Sequence, residues 1–230
     1  MKINNKNRTI VNILGGPLIV FLILFNQITF SVLIFFIVFF SLYEYTSLIK
    51  KNSKLTIYKL FLGFFWISSI IYFLPIHNFQ DIGKNFTLII FIAVWVTDSM
   101  AFIMGKAFGK KKIFPSVSPN KTWVGTLSGL LFSILFLLLI YFNDDYFNDN
   151  NIKIWPVSFN EFDVLFLGFI TGIFSQFGDF SESYFKRKLN VKDSSQLLLG
   201  HGGFLDRFDS MFAVGIATYF YLLLSGHYYG

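Results

Sequence analysis

Residues 175–210 have the sequence SQFGDFSESYFKRKLNVKDSSQLLLGHGGFLDRFDS, a polar segment that separates two apolar runs. Around it, hydrophobic residues make up 54% of the chain and charged residues 14%, a composition typical of membrane proteins. The apolar runs are roughly 15 to 22 residues long, which suits helices that cross a bilayer. We therefore predict an all-α, polytopic integral membrane protein with one membrane domain over residues 1–230.

On either side of this segment, the apolar runs predict about seven transmembrane helices, within a range of six to eight. The predicted spans are 10–25, 28–49, 57–76, 86–105, 123–142, 164–178 and 211–228. Gly15, Gly16 and Pro17 interrupt the first span, so a broken or re-entrant segment is an alternative there. Gly-x-x-x-Gly pairs in the fifth and sixth spans predict faces on which helices pack closely.

The distribution of basic residues predicts the orientation of the chain. All of the 19 Lys and Arg residues except Lys84 and Lys153 fall in spacers on one side of the predicted spans or, for Lys59, at the adjoining end of a span. Such residues concentrate on the cytoplasmic side of membrane proteins. The N-terminus and residues 175–210 are therefore expected on the cytoplasmic side, in a bacterial plasma membrane. The net charge of +6 follows from this topology and from attraction to anionic lipid, so no nucleic-acid partner is expected.

Acidic residues within 175–210 predict a site for a hard cation. Asp206 and Asp209 are three residues apart, so on a helix they project from one face. Asp179 begins the polar part of the same segment, and Glu182 follows it by about one turn. Carboxylate oxygens are the ligands that Mg²⁺ prefers, and Mg²⁺ bridges polyphosphate oxygens. The alternative is that these acids pair with neighbouring Lys and Arg side chains on a solvated face.

Three further features have a polar character that suits substrate binding. The glycines around His201 permit positive φ and a nest of backbone amides for phosphate, while His201 is either an acid, a base, a phosphate donor or a turn residue. Asp98 lies at membrane depth, where a carboxylate is costly unless it is paired, hydrated or functional. The spacer after the fourth span contains a turn with phosphate-binding character at residues 118–122.

The order of polar residues in 178–210 resembles the signature of the phosphatidate cytidylyltransferase family. In that signature a Ser, a Lys-Arg pair, a Lys-Asp pair, His-Gly-Gly and Asp-Arg-x-Asp follow one another. The matching residues are Ser183, Lys186, Arg187, Lys192, Asp193, His201, Gly202, Gly203, Asp206, Arg207 and Asp209. The best-matching region, residues 94–211, includes TDSMAFIMGKAFGKKKIFPSVSPNKTWVG at 97–125, which is similar to the family's second block. The matching residues there are Asp98, Ser118, Pro119, Lys121 and Thr122.

The resemblance implies transfer of CMP from CTP to phosphatidic acid, which gives CDP-diacylglycerol and pyrophosphate in phospholipid biosynthesis. It implies one or two Mg²⁺ ions on Asp179, Asp206 and Asp209, with a monovalent cation left open. It also implies catalytic roles for Asp179, Lys186, Arg187, Asp206, Arg207 and Asp209. Substrate contacts are implied for Asp98, Ser118, Lys121, Thr122, Ser183, Lys192, Asp193, His201, Gly202 and Gly203.

The expected partners are CTP, phosphatidic acid and the lipid bilayer, with a homodimer left open. Because CTP is cytosolic, the active site is expected on the cytoplasmic side. One alternative is a CTP-dependent kinase of a polyprenol-type lipid alcohol, and another is a transporter or channel, which would not explain the ordered polar segment. The family pattern has an acid where this chain has Val124 and a Pro where it has Leu199. A catalytically impaired homologue is therefore also an alternative.

Overall fold

The structure, a computed structural model, describes residues 5–52, 57–79, 81–198 and 202–228. Within these ranges the regular elements are helices, apart from an isolated antiparallel bridge between Lys112 and Thr122. The helices are α1 (Asn5–Phe25), α2 (Gln27–Asn52), α3 (Ile57–Ser68), α4 (Phe73–His77), α5 (Gly83–Phe108), α6 (Trp123–Phe142), α7 (Asp144–Asp149), α8 (Glu161–Lys188) and α9 (Leu205–Leu224). A 3-10 turn at Ser69–Tyr72 joins α3 to α4.

The helices confirm a polytopic, all-α membrane protein. Five in the described ranges are long and apolar enough to cross a membrane: Gln27–Lys51, Ile57–His77, Gly83–Phe108, Trp123–Phe142 and Glu161–Lys188. The first predicted span lies in α1, which runs through Pro17 without a break and has a shorter apolar part, Leu14–Phe25. The last lies in α9. The exact number of spans and the side of the N-terminus stay predictions.

Helix α8 extends well beyond the predicted span of residues 164–178. It continues through the polar residues to Lys188, where Glu182 pairs with Lys186 one turn later. Basic residues in the last turn also interact favourably with the helix dipole. Part of the polar segment is therefore a rigid extension of a membrane helix.

Close helix packing builds the part of the bundle that carries the site. Helix α5 packs against α6, α6 against α8, and α8 against α9. A side chain at Gly125 or Gly129 of α6 would collide with the backbone of α5, and one at Gly168 or Gly172 of α8 with α6. The predicted Gly-x-x-x-Gly faces are therefore sites of close helix approach.

Four leucines of α6 form an apolar stripe on the outside of the bundle. Leu127, Leu131, Leu135 and Leu139 are all exposed and recur every four residues, so they lie on one face. Such a face is unfavourable in water and suits contact with lipid. The glycine face of α6 packs inward, which gives this helix one side for lipid and one for protein.

The connections place four helix ends together. Helices α5, α6, α8 and α9 pack as successive neighbours. The short connection between α5 and α6 reverses the chain, so the end of α5 lies beside the start of α6. Thr122 caps the start of α6 with its side-chain oxygen, which accepts a hydrogen bond from the Gly125 amide at 3.2 Å. The end of α8 and the start of α9 lie at the same end of the bundle, joined by residues 189–204. The predicted site residues are concentrated there.

Candidate active site

A cavity of about 600 Å³ lies at this end of the bundle and is bordered by α5, α6 and α8. Five predicted site residues line it: Asp98, Ser118, Lys121, Thr122 and Asp179. Two further lysines, Lys106 and Lys112, also line the cavity. Its volume is in the range of sites that hold small molecules. The two blocks of polar sequence, which are far apart in the chain, therefore meet around one space.

An ion pair joins the two blocks directly. The Nζ atom of Lys121 lies 2.5 Å from Oδ2 of Asp179, and the same ammonium group lies 4.0 Å from the centre of the Phe180 ring. The Ser183 hydroxyl, one turn further along α8, donates to Asp179 at 3.4 Å. Lys121 is thus oriented by a carboxylate and by an aromatic face.

Asp98 is held by hydroxyl groups from two other helices. The Ser175 hydroxyl of α8 donates to its Oδ1 at 3.0 Å, and the Ser210 hydroxyl of α9 donates to its Oδ2 at 3.4 Å. A carboxylate within a membrane helix is costly unless such donors or a cation stabilise it. These contacts tie α5, α8 and α9 together at the cavity.

Asp98, Asp179 and Asp209, which we call the carboxylate group, lie near enough for their charges to repel one another. Asp179 repels Asp98, and both of these repel the buried Asp209. Lys121 is the cation whose attraction acts on both Asp98 and Asp209. When ionised, these acids leave an excess of negative charge that a divalent cation would neutralise.

The donor chemistry of the carboxylate group fits Mg²⁺. In the part of the chain that the structure describes, no three His, Asp or Glu side chains converge closely enough to hold a metal ion by themselves. Mg²⁺ does not require this, because it commonly binds one or two carboxylates together with waters and substrate phosphates. The predicted use of Asp179, Asp206 and Asp209 as metal ligands stays a prediction.

Asp206 makes a different set of contacts. Its oxygens accept hydrogen bonds from Lys186 Nζ at 2.8 Å and from the backbone amides of Ser194 and Gly203 at 2.9 Å each. Lys186 also lies 2.7 Å from Oε2 of the buried Glu182. Asp206 therefore holds the loop before α9, and it does not line the cavity.

The predicted glycine nest is used within the protein. Gly202 has a φ of 82°, a conformation that glycine adopts at little cost, and a side chain there would collide with the carboxylate of Asp206. The amide of Gly203 donates one of the hydrogen bonds that Asp206 accepts. His201, which was predicted to contact substrate, lies outside the described residues.

A comparison with family models identifies the chain. The model of the cytidylyltransferase family matches residues 51–225. The chain belongs to this family. The matched region includes every predicted site residue, and it confirms the resemblance inferred from the polar signature.

Curated relatives agree with this assignment. A phosphatidate cytidylyltransferase of Staphylococcus haemolyticus is 43% identical over 132 residues, which cover 57% of this chain and 46% of the relative. One from Haemophilus influenzae is 41% identical over 145 residues, covering 62% and 47%, and one from Staphylococcus saprophyticus is 40% identical over 142 residues, covering 62% and 50%. The chain spans about half the length of these curated relatives.

The remaining signature residues lie around the end of α8 and the start of α9. Arg187 donates from Nε to the Val117 carbonyl at 3.1 Å and from its terminal nitrogen to the Val191 carbonyl at 2.8 Å, so it joins the two blocks. Lys192, Asp193 and Arg207 are exposed. The structure therefore does not bring all predicted residues to the cavity wall.

The sequence-based prediction missed one acid that the fold brings to this region. Glu44 lies in α2, is 1% exposed and accepts hydrogen bonds from the loop before α9. The available signal was its position within the second predicted span, because a lone carboxylate in an apolar run is costly. Lys106, Lys112 and Gln176 of the cavity wall were also missed.

Proposed function

We propose that this protein transfers CMP from CTP to phosphatidic acid and releases pyrophosphate. The observation that carries the proposal is the contact of Lys121 with Asp179 at 2.5 Å, which joins the two signature blocks beside a cavity of about 600 Å³. Relatives that are 41–43% identical to this chain bear the name phosphatidate cytidylyltransferase. Their names support CTP and phosphatidic acid as substrates, and the lining of the cavity supports it as the site.

The proposed step is a displacement at phosphorus. A phosphate oxygen of phosphatidic acid attacks the α-phosphorus of CTP, a new phosphorus–oxygen bond forms, and the bond between the α-phosphorus and the bridging oxygen breaks. The nucleophile is already anionic, so the protein has mainly to align the reactants and offset their charge. Lys106, Lys112 and Lys121 line the cavity and supply positive charge for phosphate oxygens.

A divalent cation is part of this proposal. Asp98, Asp179 and Asp209 are the side chains that would contribute ligands, together with waters and phosphate oxygens, because a cation would offset the repulsion between their carboxylates. When bound, the cation neutralises phosphate charge and polarises the phosphoryl group. Asp206 is assigned to holding the loop, since its oxygens already accept three donors.

The site is proposed to face the cytoplasm. The supporting observations are the cluster of basic residues in the spacers at this end of the bundle and the general excess of Lys and Arg in cytoplasmic loops. CTP would enter from solution, while phosphatidic acid would enter from the adjacent leaflet. The phosphate groups of both would then meet at the membrane interface.

Purified protein in detergent, incubated with phosphatidic acid and CTP labelled on either the α- or the γ-phosphate, tests the proposal. The α-label is expected to enter lipid in the presence of Mg²⁺, and EDTA is expected to stop the incorporation. Incorporation of the γ-label into a polyprenol would instead identify a lipid-alcohol kinase. Inert protein with several lipid acceptors would identify an impaired homologue and overturn the proposal.

A further inference from the structure

Glu44 accepts four hydrogen bonds from one short segment of the chain. The hydroxyls of Ser194 and Ser195 donate to its two carboxylate oxygens at 2.9 and 2.6 Å. The backbone amides of Phe204 and Leu205 donate to the same oxygens at 3.0 and 2.9 Å. Each oxygen therefore receives one hydroxyl and one amide.

Such a complete set of donors explains how a carboxylate is tolerated inside α2. A buried charge is costly without partners, and hydrogen bonds to charged groups are stronger than those between neutral groups. Glu44 also stabilises the start of α9, because the N-cap residue of that helix, Phe204, makes no side-chain cap hydrogen bond. Glu44 supplies both the missing acceptor and a negative charge at the positive end of the helix.

The same segment is held from its other side by Asp206. Asp206 accepts from the amides of Ser194 and Gly203, while a side chain at Gly203 would collide with both Glu44 and Ser194. Residues 194–195 and 203–205 are thus held between a carboxylate of α2 and a carboxylate of α9. We call Glu44, Asp206 and the groups of this segment that donate to either of them the loop clamp.

We propose that Glu44 is a positioning residue of the transferase site. It sets the start of α9, and α9 carries Asp209 into the carboxylate group beside the cavity. Glu44 lies outside the matched family region, residues 51–225, and it does not line the cavity. Its effect on turnover rests on the proposed function, whereas its effect on the loop does not.

The test compares the full chain with Glu44→Gln, which keeps the shape of the side chain but puts a donor where two donors already point. Loss of even one charge-assisted hydrogen bond corresponds to about a tenfold change in an equilibrium or rate. We therefore expect kcat to fall by about tenfold or more, with a much smaller change in the KM for CTP. Amides at the start of α9 should exchange hydrogen about tenfold faster. The matched control is Glu161→Gln, which changes an exposed acid in the first turn of α8, at the end of that helix away from the site. It should behave like the wild type.

A double-mutant cycle separates positioning from general damage. Ser195→Ala removes one donor of Glu44 and leaves α2 unchanged, so it should slow turnover in the wild type but add little in the Glu44→Gln background. Glu44→Asp, which keeps the charge, should recover part of the protection of the α9 amides from hydrogen exchange. If Glu44→Gln does not fold, Ser195→Ala and Glu44→Asp give the same comparison.

The possible outcomes distinguish this inference from the proposed function. Wild-type turnover and exchange in Glu44→Gln, or strictly additive effects in the cycle, would overturn the positioning role. If the wild type transfers no CMP, the proposed function fails, and hydrogen exchange at the start of α9 alone decides whether Glu44 holds the segment. In that case, wild-type hydrogen exchange in Glu44→Gln would overturn the proposal that Glu44 holds the segment.

Discussion

The carboxylate group and the loop clamp lie at the same end of the bundle but differ in how their acids are paired. Glu44 and Asp206 of the clamp accept seven hydrogen-bond donors in total, counting each donor group once. In the carboxylate group, Asp98 and Asp209 experience repulsion from Asp179, and the attraction of Lys121 opposes it. Acids with many donors hold backbone in place. Acids that repel one another are suited to a charged ligand.

The difference is sharpest within a single turn of α9. Asp206 faces the loop and binds Lys186 together with two backbone amides, whereas Asp209 interacts with Asp98 and Asp179. Sites of function often retain unfavourable contacts that reduce stability, and the surrounding structure tolerates them. One substitution in each region tests this division, and a third tests a neighbouring residue of the cavity wall.

The largest effect is expected for Asp179→Asn in the carboxylate group. The change removes the partner of Lys121 and a proposed ligand of the cation, so turnover should fall by about 100-fold or more. Thermal stability in detergent should change little, because the loss of a partly exposed ion pair is offset by reduced repulsion. Asp145→Asn, an exposed acid of α7, is the control for the assay. Turnover within about threefold of the wild type would remove Asp179 from the site.

An intermediate effect, on stability, is expected for Asp206→Asn in the clamp. The substitution leaves Lys186 beside a weaker acceptor and weakens two amide contacts, so the free energy of unfolding should fall by about 2 to 4 kcal/mol. Chemical unfolding in detergent measures the change. Asp209→Asn, three residues later on the same helix, is the matched control and should not destabilise the protein, because it removes repulsion. Equal losses of stability in the two variants would contradict the division between the two regions.

The smallest effect is expected at Thr122, which lines the cavity but uses its hydroxyl as a helix cap. Thr122→Ala should cost about 1 kcal/mol of stability, and Thr122→Ser should restore both the cap and turnover. Thermal unfolding and steady-state kinetics of the two variants check this. If the Ser variant is stable but as slow as the Ala variant, the residue has a role in substrate binding beyond the cap.

Local patterns predicted the membrane class and most helices. Apolar runs match the five helices that are long enough to cross a membrane, because hydropathy acts over consecutive residues. The end of α8 was misplaced, since its polar last turns are helical through packing and a side-chain pair rather than through hydropathy. Gly15, Gly16 and Pro17 did not break α1, which runs as one helix from Asn5 to Phe25.

The sequence by itself determined the family and the inventory of polar residues, because both depend on the order of residues along the chain. Only the tertiary structure decided which acids act together. Asp206 and Asp209 are close in sequence and were predicted to share a cation, yet they make different contacts. Glu44 and Ser194 are 150 residues apart and form a direct hydrogen bond. Pairing of charges depends on distances between helices, and those distances arise from packing of the whole bundle, which no local pattern contains.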